Sequence, residues 1–135
     1  MKEGSIDTRD AIRVAAFRTA LRSFLRKSEL VARTSGLTPQ RYLLLLLIKG
    51  APDGSEQATV TDLTARLQLA QSTVTELVAR AEESGLVVRQ SSAADGRVAH
   101  LRLTGEGERR LARSFARLEG ERQQLRRAIA ATLGQ

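Results

Sequence analysis

The chain has no cysteine, no tryptophan, one histidine, one tyrosine and two prolines in 135 residues, and aromatic side chains make up only 3% of it. Without cysteine there is no disulfide, no thiolate nucleophile and no thiol redox sensor, and His100 alone cannot build a multi-histidine metal site. So few aromatic rings argue against an RNA-binding surface made of stacked bases. A membrane span needs about 18 consecutive apolar residues; the longest apolar run here, Tyr42 to Ile48, is far shorter. Acidic residues stand near the N-terminus, where a signal peptide needs an apolar stretch. A soluble cytoplasmic protein of one domain is therefore expected, long enough to bury a core without staples. No cofactor is called for, and no set of nucleophile, base and orienting group is in view, so catalysis is not expected.

What the chain does have is positive charge, a net +7. Such a balance suggests a polyanionic partner, but its location weakens that inference. The excess is +4 over residues 1–58, zero over 59–104 and +3 over 105–135. Any argument for nucleic-acid binding by the middle segment has to come from geometry.

From Thr8 to Ser35, Val14, Phe17, Leu21, Phe24 and Val31 step by threes and fours, with Ser28 in the one gap, which predicts a long amphipathic helix stopped by Gly36. A second helix is expected to start at Thr38 as N-cap, with Pro39 in its first turn and Leu37 stapled onto Tyr42. Its run Leu43 to Ile48 is apolar all round and predicts burial on most of the circumference. Gly50 to Ala58 reads as a surface loop. Thr59 with Asp62 forms a capping-box pattern, followed by the apolar face Val60, Leu63, Ala65 and Leu67. After a tight connection at Gln68, Leu69 and Ala70, a helix from Gln71 to Ser84 is predicted to pack through Val74, Leu77, Val78 and Ala81. Gly85 ends it. Two β-rich runs, Leu86 to Gln90 and Val98 to Leu103, then flank a polar stretch and predict a hairpin that packs on the preceding helices. From Thr104 the helical period returns through Leu111, Phe115, Leu118, Leu125, Ile129 and Leu133, with a break expected near Gly120. The fold class is mainly α with a small β-hairpin.

Two short helices joined by a tight turn and followed by a hairpin have the order of a winged helix-turn-helix. A major groove admits one helix, whose first side chains reach base edges, while a protruding hairpin reaches the neighbouring backbone or minor groove. On that reading the groove helix offers Gln71, Ser72, Thr73, Thr75, Glu76 and Arg80, and the first strand offers Arg89. Glu76 would be repelled by phosphate but could accept a hydrogen bond from cytosine N4.

The ordered set Thr59-Val60-Thr61-Asp62-Leu63, Ser72-Thr73-Val74-Thr75, Gly85-Leu86-Val87-Val88-Arg89, Asp95-Gly96-Arg97 and Leu103-Thr104, with Leu37-Thr38-Pro39-Gln40 upstream, resembles the MarR family of bacterial transcriptional regulators. The resemblance implies a homodimer held by terminal helices (residues 1–50 and 105–135) around a winged helix-turn-helix region (51–104). It also implies an operator in double-stranded DNA as partner, a wing whose Arg97 enters the minor groove with Asp95 orienting it, and a repressor released by a small ligand. Gln68 stands where members often carry glycine, and Ala70-Gln71 where Ser-Pro is common, so the groove helix lacks the usual cap and could begin at Ser72. With no cysteine and one histidine, any effector is expected to be an organic molecule. Arg13, Arg18 and Arg41 suit an anionic one, and Arg18 and Tyr42 are the candidate ligand contacts.

Each residue also has a plainer reading. The hydroxyls of Ser72, Thr73 and Thr75 could cap the helix, Arg89 could pair with an acidic neighbour, Tyr42 could be core, and the arginines after residue 105 could be a solvated face. Gly105-Glu106-Gly107 follows a strand and opens a helix, but Arg110 occupies the third glycine position of a dinucleotide fingerprint and no βαβ unit surrounds it. It reads as a flexible helix start. The competing function is a non-enzymatic helical protein that assembles through its amphipathic ends.

Overall fold

In a computed structural model that describes residues 3–91 and 98–133, the helix stops fall where the glycines and caps put them. Helix α1 (Thr8–Thr34) is capped by Asp7, whose carboxylate accepts from the Arg9 N–H. The chain turns out of it at Gly36, whose φ of +77 lies in the left-handed region open to glycine. Helix α2 (Pro39–Lys49) starts with Thr38 accepting from the Arg41 N–H at 3.1 Å and Pro39 in the first turn. Helix α3 (Val60–Leu67) has the full capping box, with Thr59 and Asp62 each satisfying the other's backbone N–H. Helix α4 (Gln71–Glu83), strands β1 (Val87–Ser91) and β2 (Ala99–Leu103), and helices α5 (Gly105–Arg117) and α6 (Glu119–Leu133) complete the described order.

The strands form one antiparallel pair in the register Val87↔Leu103 to Ser91↔Ala99. A third short edge was not foreseen. Ala58, read as the end of a surface loop, is buried and exchanges both backbone hydrogen bonds with Leu101, at 3.1 and 2.8 Å. The core lies where α2 meets its neighbours: Leu44, Leu45 and Ile48 pack with Leu63, Val74, Val78, Leu86, Leu101 and Leu111. Helix α2 thus touches α1 and α5 on one side and α3, α4 and β2 on the other, while α6 lies along α1.

Several apolar positions face outward against expectation. Leu43 lies on the side of α2 that no other element covers and is exposed, and so are Val14 on α1 and Ala65 on α3. Phe17, Leu21 and Phe24 are half-buried, because only α6 covers that stretch. The C-terminal stripe is split because the helix breaks at Leu118, two residues before Gly120. Leu111 and Leu118 are buried, whereas Phe115 and Ile129 are exposed on either side of the break.

The start of α5 explains its glycines better than flexibility does. Thr104 takes the Gly107 N–H on its hydroxyl and donates that hydroxyl to the Gly85 carbonyl at 2.6 Å. Gly107 is buried so tightly against Leu86, just ahead of β1, that a Cβ there would come within 2.2 Å of the Leu86 carbonyl oxygen. A glycine is required at this close approach.

Candidate nucleic-acid interface

The α3–α4 turn is built on a left-handed residue. Gln68 has φ 57 and ψ 42, and its N–H closes α3 on the Thr64 carbonyl at 3.0 Å. Helix α4 begins at Gln71, not Ser72, with Ala70 at the N-cap position and no side-chain cap. Neither Ser72 nor Thr73 serves as that cap. Val74, Val78 and Ala81 are fully buried and Leu77 partly so, which fixes the helix on the core. Of the other side chains, Gln71, Ser72, Thr73, Thr75, Glu76, Ala79, Arg80 and Glu83 are exposed and Glu82 is half-buried. Six of the sequence-derived candidates therefore share one outward, polar helix face.

Charge on this face is paired. Arg80 donates through Nη2 to Glu76 Oε1 at 2.6 Å, one helical turn apart. Behind it, Arg89 on β1 donates to Glu82 at 2.9 Å, and this bond with the carboxylate raises the guanidinium pKa. Arg89 thus ties the hairpin to α4, as its plainer reading had it. Asp95 and Arg97 lie outside the described residues.

The two candidate ligand contacts are not brought together. Arg18 lines a shallow groove of about 300 Å³ made wholly of α1 residues, with Arg22, Arg26, Leu21, Leu25 and Glu29. Tyr42 is a core residue, 6% exposed; burial pushes its phenol up, and the positive charge of Arg122 pulls it part of the way back.

Contacts that sequence reasoning missed join segments far apart in the chain. Lys49, at the end of α2, pairs with Glu56 in the following loop and with Glu108 on α5 at 3.0 Å. Both partners keep the ammonium protonated, and Glu56 is held below the usual carboxylate range by the Lys49 hydrogen bond. Arg102 on β2 donates to the Ser55 carbonyl at 3.1 Å and pins the same loop to the hairpin. Ser114 on α5, fully buried, donates to Ser35 Oγ at 2.7 Å. None of these pairs has a local spacing that could announce it.

With this geometry in place, similarity to known proteins can be weighed. The MarR family model matches residues 35–98, from the end of α1 into the hairpin. A protein of Thauera aromatica, described as a candidate transcriptional regulatory protein for the hcr operon, is 33% identical over 100 residues. The chain is thus similar to MarR-family regulators over its middle part. That alignment covers 74% of this chain and 54% of the relative, so the chain spans about half the length of the curated protein it matches. A transcriptional regulator of Thermotoga maritima superposes on this chain with a TM-score of 0.65 at 28% identity, over 87% of this chain and 78% of that one. A mutant of E. coli MarR, crystallised with operator DNA, gives a TM-score of 0.66 over 89% of this chain and 85% of that one. Its 18% identity speaks for the fold alone. The positive φ of Gln68 is a conformation that glycine adopts more readily than glutamine.

Proposed function

We propose that this chain is a MarR-family regulator of transcription, homodimeric and sequence-specific in its DNA binding, acting in the cytoplasm as a repressor that a small organic ligand releases. The observation that carries the reading is the outward face of α4, where Gln71, Ser72, Thr73, Thr75, Glu76 and Arg80 stand exposed on a helix anchored by Val74, Val78 and Ala81. A helix so presented can lie in a major groove with its first two turns against base edges. Arg89 on β1 is the proposed contact to the adjacent backbone, and Asp95 and Arg97 are the proposed minor-groove pair. Residues 51–104 are the proposed DNA-binding region, and residues 1–50 and 105–135 the dimerisation helices. Exposed Ile12, Val14, Leu25, Leu30, Phe115 and Ile129 on α1, α5 and α6 support that division, since a second copy would cover apolar surface that one chain leaves open. Arg18 is the proposed anchor for an anionic effector; Tyr42, being core, would meet such a ligand only when α2 shifts.

The test is enrichment of duplexes from random DNA by the purified chain, with sedimentation of the free protein. The reading expects a two-fold related site, with half-sites about one helical turn apart, bound by a dimer. A stable monomer that enriches no sequence would overturn it.

A further inference from the structure

We infer that Arg80 is the residue of α4 that selects a guanine in each half-site, and that Glu76 is the positioning residue that aims it. The inference rests on the DNA-binding reading above and deepens it by naming the base.

On the outward face of α4 the side chains at 72, 73, 75 and 79 are serine, threonine, threonine and alanine. These are short groups with at most one hydroxyl. Arg80 is the only cationic side chain of α4 and, apart from Gln71 at the helix start, the only long donor on that face. Its position in the third turn would place it too far back to reach the base edges that the first turns meet, but a long helical side chain leans toward the N-terminus. The bond from Arg80 Nη2 to Glu76 Oε1 holds it there, bringing the guanidinium back over the turn that carries Glu76. A rise of 1.5 Å per residue makes this an advance of up to about 6 Å toward the groove-entering end.

The pair consumes little of the guanidinium. Among the described residues Arg80 donates only through Nη2, and a guanidinium carries five N–H groups in a planar fork. The rest of the fork stays available for two acceptors side by side, which in the major groove is the pattern of guanine O6 and N7. Exposed Ala79 beside it adds no bulk that would close off the approach. Glu76 has a second effect. An unattached arginine on a helix face would swing to the nearest phosphate, a contact without sequence information. Tethered to a carboxylate, which phosphates repel, the guanidinium is kept for the base. The other arginine beside α4, Arg89, stands on β1 and not on the outward face of α4, so it does not compete for this role.

The experiment is selection from random duplexes by the wild-type chain and by Arg80→Lys, Arg80→Ala and Glu76→Ala, followed by titration of the selected duplex and its single-base variants at two salt concentrations. Lysine keeps the charge and loses the fork. The expected wild-type site has one fixed G·C pair per half-site. Arg80→Lys should lower discrimination at that pair alone by about tenfold or more, with the salt dependence unchanged, and Arg80→Ala should lose both. Glu76→Ala should weaken discrimination at the same pair in the wild-type background and do nothing further in the Arg80→Lys background. The inference fails if the wild-type half-site has no fixed G·C pair, or if Arg80→Lys keeps full discrimination. The positioning role of Glu76 fails if Glu76→Ala changes a different base pair. A wild-type chain that enriches no sequence overturns the DNA-binding reading itself, which is a separate result. Both positions are exposed, and thermal melts of each variant check that the fold is unchanged.

Discussion

Replacing Gly107 by alanine should damage this protein far more than a change of one methyl group in a helix ordinarily does. In an open helix the substitution would gain about 1 kcal/mol, because alanine loses less backbone entropy on folding. Here the new Cβ falls 2.2 Å from the Leu86 carbonyl oxygen and 3.4 Å from Leu103 Cγ. The oxygen is backbone, so it cannot rotate away, and it accepts the Thr104 N–H at 3.0 Å. Relief requires α5 to lift from Leu86. Overpacking of this kind costs about 1–3 kcal/mol, and stranding the Leu86 carbonyl adds about 1–3 kcal/mol. Against the helix gain, a net loss of about 1–5 kcal/mol is expected. For a chain of this size that is a fall in melting temperature of roughly 3–20 °C. Circular dichroism melts at fixed protein concentration measure it, with Gly105→Ala as the control, where the only close neighbour is the mobile end of Arg109 at 3.4 Å. Gly105→Ala should melt at or slightly above the parent temperature. A Gly107→Ala protein as stable as the parent would refute the packing of α5 against Leu86.

Three further outcomes follow from the same geometry. Thr59→Ala removes half of the capping box at the start of α3 and should lower stability by about 1 kcal/mol in urea titration; no change would mean that the box is not formed in solution. Gln68→Gly relieves a left-handed residue and should raise stability by about 0.5–1 kcal/mol, whereas a loss would place Gln68 in another conformation. The lone Tyr42 titrates above the ordinary 10.0 in the folded chain because burial disfavours its charged form. Its contribution to stability is therefore full below pH 10.0 and is lost as pH rises through the folded value. Tyrosinate absorbance should appear above the free-tyrosine range and together with loss of helical dichroism, and ionisation at the ordinary value with the helices intact would contradict it.

What could be read from the sequence was what is local in the chain. Thr38-Pro39, Thr59 with Asp62, and Gly36 and Gly85 each act within a turn or two, so spacing alone located the helix ends. The polar face of α4 was legible for the same reason, since Val74, Val78 and Ala81 mark the buried side at helical intervals. Gln71 opens α4 although Ala70 caps nothing, because the packing of Val74 and the turn at Gln68 set the helix start, and a missing cap costs too little to move it. Burial of Leu43 could not be judged from an all-apolar run, which says nothing of which side lacks a neighbour. Ala58 pairs with Leu101 across more than forty residues, and Lys49 meets Glu108 across nearly sixty. Such contacts are made by topology. Gly107 is the sharpest case: its glycine was visible, but its reason, the Leu86 carbonyl beneath it, belongs to another element.

The measurement that tests the account most directly is footprinting of the selected duplex, combined with methylation interference at guanine N7. The account predicts protection of two major-groove faces about one helical turn apart, with interference at one guanine in each. Protection without any major-groove interference, or no protection at all, would contradict the assignment of α4 as the reading helix.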